Sequence, residues 1–242
     1  MTDNADRDNQ SLFLQKIYDT IPRYYGPVNT IITWGLDRQW RLKTAEECLI
    51  DTPEKVLDIS CGTGELTMEL LRKSGRTIAI IGVDFNHNMI KIAEKKIKKS
   101  GSSRVSFVNS NIENLPFPEE YFDSIDAAFA IRNMTYKNPI TKRNITEVLR
   151  VLKKGGRFVL LETSQPKPGL IKHLYHVYIR SFISLLGTLI YSSRQAYNYL
   201  VDSMINYFSP EELEQFLLQS GFSRVYFYRL LFGAVSIHIA IK

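Results

Sequence analysis

From Lys55 to Leu161, short apolar runs alternate with amphipathic stretches, the pattern of strands separated by helices in a wound α/β fold. It predicts strands over 55–60, 77–83, 104–109, 123–129 and 156–162, with helices near 65–74, 87–99 and 138–152. Gly155-Gly156 reads as the turn into the fifth strand. After a helix beginning near Pro210, two further runs, Ser223–Leu230 and Ala234–Ile241, flank a turn at Phe232-Gly233. Strands joined so closely pair antiparallel. The pattern therefore predicts a Rossmann-like, seven-stranded, mostly parallel sheet that ends in an antiparallel hairpin.

Two stretches fall outside this winding. Residues 1–50 form an N-terminal helical cap, ahead of a core over 51–164. Residues 165–208 form an apolar helical insertion, and residues 209–242 complete the core. The insertion carries Leu174, Tyr175, Val177, Tyr178 and Ile179 around much of a helix, interrupted by Arg180. Such a helix either packs into the core or forms a lid over a greasy substrate and dips into a bilayer surface.

Composition narrows the class. The 242 residues hold 31 basic and 25 acidic side chains, net +6. Lys91, Lys95, Lys96, Lys98 and Lys99 crowd the C-terminal half of one predicted helix. They make a solvated face suited to the helix dipole, or an attraction for anionic lipid. With no aromatic residues between them, nucleic acid is not an expected partner. Cys48 and Cys61 give neither metal spacing nor a disulfide framework, so no metal is expected and a reducing compartment suits the chain. The polar, acidic start resembles no targeting peptide, and no apolar run reaches membrane-spanning length. A cytoplasmic protein is expected, free or at the inner face of a membrane, with a homodimer left open.

The chemistry concentrates at Val56-Leu57-Asp58-Ile59-Ser60-Cys61-Gly62-Thr63-Gly64. A short strand ends in an acid and a bare turn, and a new helix then points its free N–H groups at whatever sits there. A second strand ends at Asp84, where a carboxylate can take both hydroxyls of a ribose. A dinucleotide turn needs a third glycine, but Thr67 stands at that position. The turn better suits S-adenosylmethionine (SAM), whose zwitterionic amino acid replaces a pyrophosphate.

Further strings make the likeness specific. They include Asn111 to Pro118, Tyr121-Phe122-Asp123, Phe129-Ala130-Ile131-Arg132-Asn133, Glu147 to Arg157 and Leu161 to Pro166. With Tyr18-Asp19, Trp40-Arg41, Ala196 to Leu200 and the terminal Gly233…His238…Lys242, the chain resembles the quinone C-methyltransferases of menaquinone and ubiquinone biosynthesis (the UbiE/MenG family). The resemblance implies a SAM-dependent enzyme that methylates the ring of a polyprenylated quinol precursor, demethylmenaquinol first among them. It also implies that Thr67 fixes the methionine end, Asp84 the ribose, and Asn111 with Ile112 the adenine. Ala128 stands where relatives often carry serine, Gly26 where they carry Asp, Ala130 in place of a glycine, and Thr163 in place of a phenylalanine.

Methylating a ring carbon calls for a phenolate-like nucleophile, hence a base and a cation near the ring. Arg132, at the mouth of the fourth strand, is the candidate cation, or else salt-bridges a neighbouring carboxylate; Asn133 is its hydrogen-bonding neighbour. Asp19, beside Tyr18, is a candidate base or a helix cap. Tyr197 and His238 are candidate substrate contacts, or fill the core and the sheet. Two other readings stay open: the same cofactor with another lipid-like or aromatic acceptor, and a non-catalytic SAM- or nucleotide-binding assembly partner.

Overall fold

The computed structural model describes residues 25–75, 77–190 and 194–242. Five strands run parallel: β1 (Lys55–Ile59), β2 (Ala79–Asp84), β3 (Val105–Asn109), β4 (Phe122–Ala128) and β5 (Leu152–Thr163). The strand β7 (Val235–Ile241) lies antiparallel between β5 and β6 (Arg224–Leu230). The sheet order is β3-β2-β1-β4-β5-β7-β6, so the winding reverses between β1 and β4. In open α/β sheets a ligand crevice forms beyond the carboxyl ends of the strands at that reversal.

The period-two alternation of the strands sorts side chains onto two faces. Leu57, Ile59, Ile125 and Ala127 pack with Ile145 and Val148 of α6 (Thr141–Val151) and with Leu213 and Leu217 of α9 (Pro210–Gln219). On the other face, Val56, Ile80, Val159 and Ile237 meet Trp40 and Ala45 of α2 (Asp37–Cys48). Leu66 and Leu70 of α3 (Glu65–Lys73) join them there. Each fully buried aliphatic side chain contributes about 1.5–3 kcal/mol. The same alternation turns Asp58 and Asp126, direct neighbours across the β1–β4 pair, toward the α2–α3 face.

Local signals set the helix ends. The Asn86 side chain accepts from the Asn88 and Met89 N–H groups at the start of α4 (His87–Ser100). A capping box of Ser209 and Glu212, with Pro210 in the first turn, starts α9.

Two boundaries differ from the sequence expectation. β5 begins at Leu152, and Gly155-Gly156 lies within it. Pairing with β4 slips there from Phe122↔Leu152 to Ser124↔Arg157, so the glycines make a bulge. A Cβ on Gly156 would sit 2.8 Å from the Lys153 carbonyl and 2.9 Å from that of Asp123, which only glycine avoids. The helix expected from 138 starts at Thr141, because the Asn138 side chain accepts from the Ile140 N–H in a preceding turn. A short helix, α5 (Ile131–Thr135), precedes that turn.

The insertion holds α7 (Leu170–Ile190) and α8 (Arg194–Ile205), which pack around Ile179 and Met204. The chain before β1 supplies α1 (Tyr25–Ile32) and α2. The Tyr178 hydroxyl of α7 donates to the Ile32 carbonyl at the end of α1, at 2.7 Å. Tyr18, Asp19 and the side chain of Tyr197 lie outside the described residues.

Candidate active site

A cavity of about 250 Å³ opens at the carboxyl ends of β1 to β4. Its floor is the turn after β1, where Ser60, Gly62 and Gly64 all have positive φ. The Cys61 N–H ties this turn to the Val83 carbonyl of β2. Gly62 lines the cavity, whereas Gly64 lies behind it. A Cβ on Gly64 would approach the Ala93 Cβ of α4 to 3.0 Å, so this glycine lets α3 start against α4.

Asp84 holds the turn as well as facing the cavity. Its two oxygens accept from the Gly62 and Asn86 N–H groups, each at 2.8 Å. Burial raises its pKa to about 6, against the pull of those two N–H groups. Asp58 also lines the cavity, and its Oδ2 accepts from the Thr67 hydroxyl. Thr67 is fully buried outside the cavity wall, where its hydroxyl orients Asp58. Glu65, one turn on, lines the wall and accepts from Lys96 Nζ at 2.6 Å. Burial pushes the Glu65 pKa up, but Lys96 outweighs it and holds the carboxyl below its usual range.

Behind Asp58 stands Asp126, fully buried. Burial, and then the neighbouring Asp58 charge, push its pKa well up, so the folded chain keeps a proton there. The unfolded chain releases that proton near the ordinary carboxylate value. The folded state thus binds more protons across the window between the two values, and stability falls as pH rises through it. We expect Asp126→Asn, which keeps the shape and removes the titration, to lose less stability than the parent between pH 5 and pH 8. Thermal melting at both pH values checks this; an unchanged difference refutes it.

Toward α5 the wall continues with Asn111, Ile112, Ala128 and Asn133. The Asn133 Oδ1 accepts from the Tyr199 hydroxyl of α8 at 3.3 Å. Burial raises the Tyr199 pKa, so that phenol stays protonated and acts as a donor. Arg132 is buried behind the wall. Its backbone N–H donates to Glu162 Oε2 at 3.1 Å, and its Nε lies 3.7 Å from Glu162 Oε1. Its guanidinium also donates to Ser203 of α8. The structure therefore gives Arg132 a carboxylate partner rather than an open face toward a ring.

His238, a candidate substrate contact or else a sheet residue, does not line this cavity. It is fully buried in β7, where its Nε2 meets the Pro210 carbonyl at 2.9 Å and its ring packs on Phe227. Burial lowers its pKa to about 4, so it stays neutral. The sheet, not the site, explains this residue.

Sequence reasoning missed Glu65, Phe129 and the role of Arg41 in the wall. Arg41 is buried on α2, pairs with Asp37 four residues earlier, and lies over the Phe129 ring at 5.3 Å. The i, i+4 charge spacing of Asp37 and Arg41 was the available signal, but it reads equally as a surface pair.

The donor set discriminates between cofactors. Among the described residues the wall carries four carboxylates, Asp58, Glu65, Asp84 and Glu113, against one guanidinium, Arg41. That balance opposes a pyrophosphate and suits a sulfonium and an ammonium beside a ribose. Asp84 offers a carboxylate acceptor of the kind ribose hydroxyls need, and Asn111 offers an amide of the kind a base can pair with. The residues fit SAM.

A SAM-dependent methyltransferase of Thermotoga maritima shares the fold, with a TM-score of 0.59 at 22% identity over 93% of this chain and 99% of that one. The fold is that of class I SAM-dependent methyltransferases, as the strand pattern predicted. A model of the ubiE/COQ5 methyltransferase family matches residues 4–242, and the chain belongs to that family. It is similar to the Ubiquinone/menaquinone biosynthesis C-methyltransferase UbiE of Pseudomonas aeruginosa (strain LESB58), 33% identical over 99% of this chain and 92% of that protein. It is also similar to the Demethylmenaquinone methyltransferase of Lactiplantibacillus plantarum, 35% identical over 95% of both. The chain is a SAM-dependent methyltransferase.

Proposed function

We propose that the chain methylates a ring carbon of a polyprenylated quinol, converting demethylmenaquinol to menaquinol. One junction carries this reading: Asn133 lines the cavity and accepts from Tyr199, so the cofactor crevice adjoins the helix pair α7–α8. A ring entering there meets amide and phenol groups at one end and an apolar lid behind.

The strand order arranges the cofactor residues. Asn111 and Ile112, just past β3, receive the adenine, and Asp84 of β2 receives the ribose. Asp58, Gly62 and Ala128 border the amino-acid end over β1 and β4. When bound, SAM supplies an electrophilic methyl group. The protein supplies position and dryness: Phe129 and Met134 in the wall exclude water. Arg132 acts as a positioning residue, since it ties α5 to Glu162 and to α8 and so fixes Asn133.

An apolar rim gives the lipid-borne substrate a way in. Ile31 in α1 and Trp34 just after it are 55% and 80% exposed, and Leu170, Leu174 and Val177 are exposed along α7. Tyr178 holds these two groups together, and Lys167 before α7 and Arg180 within it are exposed. No described helix is long and apolar enough to cross a membrane. This rim rests on an anionic bilayer face, with its basic residues at the headgroups.

Incubation with SAM and demethylmenaquinol in phosphatidylglycerol vesicles, under reducing conditions, should yield menaquinol. Trp34→Ser with Leu174→Ser should lower vesicle cosedimentation and turnover together. Intact S-adenosylhomocysteine binding without methylation of this acceptor refutes the assigned substrate.

A further inference from the structure

The cofactor reading leaves one charged group of the ligand without a partner. SAM and its product S-adenosylhomocysteine both end in a carboxylate, while the turn after β1 and its neighbours offer mainly acids. Among the described residues Arg41 is the single basic side chain in the wall. It reaches there from α2, a helix that belongs to neither the glycine turn nor the wound strands.

Its setting is that of a guanidinium held by Asp37, attracted also by the Glu65 charge in the same wall, with donors to spare. Asp37 takes one N–H, and no other hydrogen bond to a described residue engages the remaining four. The Phe129 ring supports the guanidinium at 5.3 Å. Phe129 itself is at the elbow after β4, with φ 57, where its N–H donates to the Leu161 carbonyl. Arg41 is therefore fixed over the end of β4, at the amino-acid end of the proposed ligand. A planar fork with free donors matches a carboxylate better than any other part of that ligand.

We infer that Arg41 binds the methionine carboxylate of SAM and makes the site selective for cofactors that keep it. The inference rests on the SAM assignment of the cavity, and it adds a residue of the N-terminal cap to the cofactor site.

The test compares two ligands by calorimetry: S-adenosylhomocysteine, and 5′-methylthioadenosine, which keeps the nucleoside but lacks the amino acid. In the wild type the first should bind at least tenfold tighter. Arg41→Gln should weaken S-adenosylhomocysteine about 10- to 100-fold and leave 5′-methylthioadenosine within about twofold. Arg41→Lys should keep part of the preference, and Asp84→Asn should weaken both ligands alike. Equal losses for both ligands in Arg41→Gln overturn the inference and leave the cavity assignment standing. Should that variant fail to fold, wild-type protein with decarboxylated S-adenosylhomocysteine decides: less than a threefold loss against the parent ligand overturns it. A wild type that binds neither ligand overturns the cavity assignment and the inference together.

Discussion

Replacing Arg132 by alanine should lower the unfolding free energy by about 3–5 kcal/mol, because it strips a fully buried carboxylate of its cationic partner. Glu162 has no exposed side-chain surface, and Arg132 is itself buried. The Thr163 N–H and hydroxyl still serve one Glu162 oxygen, and the Arg132 backbone N–H still serves the other, but the charge is left without a counter-ion. Ser203 loses its donor at the same time, which frees α8 from α5. Asn133 then loses its fixed place beside Tyr199, so turnover should fall in the folded protein. S-adenosylhomocysteine affinity should hold, since Arg132 is absent from the cavity wall. Urea denaturation with calorimetry checks both parts. A shift under about 1 kcal/mol would show that the pair does not hold these elements, whereas joint loss of stability and cofactor affinity would widen the structural role of Arg132.

Asp84→Ala should weaken S-adenosylhomocysteine binding by about 2–3 kcal/mol. Two effects add. The ribose hydroxyls lose a charged acceptor, and the Gly62 and Asn86 N–H groups lose theirs, so the turn itself loosens. A pH dependence accompanies this. Burial places the Asp84 pKa at about 6, and only the ionised form accepts from both ribose hydroxyls. Wild-type affinity should therefore decline as pH falls through about 6, while the alanine variant loses that part of the decline and keeps only the part due to Asp58, which burial raises to about 7. Titration calorimetry at pH 5 and pH 8 measures both. Affinity that is indifferent to the substitution would move the ribose to other groups.

Much of the fold was legible because its signals are local. Period-two apolar runs, the short link at Phe232-Gly233 and an acid at the end of each of the first two strands each act within a few residues of one chain segment. The bulge at Gly155-Gly156 was misplaced as a turn because glycine pairs mark both. Only the β4–β5 register, with the Asp123 carbonyl 2.9 Å from a Cβ at Gly156, tells them apart. Thr67 illustrates the same limit within the site. The resemblance implies that it fixes the methionine end, and the structure adds what no spacing shows, a fully buried hydroxyl that donates to Asp58 behind the wall.

Spacing along the chain settled the winding, the bare turn after β1 and the acid at the end of β2. Those features depend on backbone geometry and side-chain periodicity, which neighbouring residues dictate. Tertiary structure alone decided that Arg132 answers Glu162 thirty positions away, that Asp126 stands behind Asp58, and that Arg41 of α2 enters the wall. A charged side chain's role depends on which other charge it meets and how much water is left between them, and distant segments settle both only when they pack.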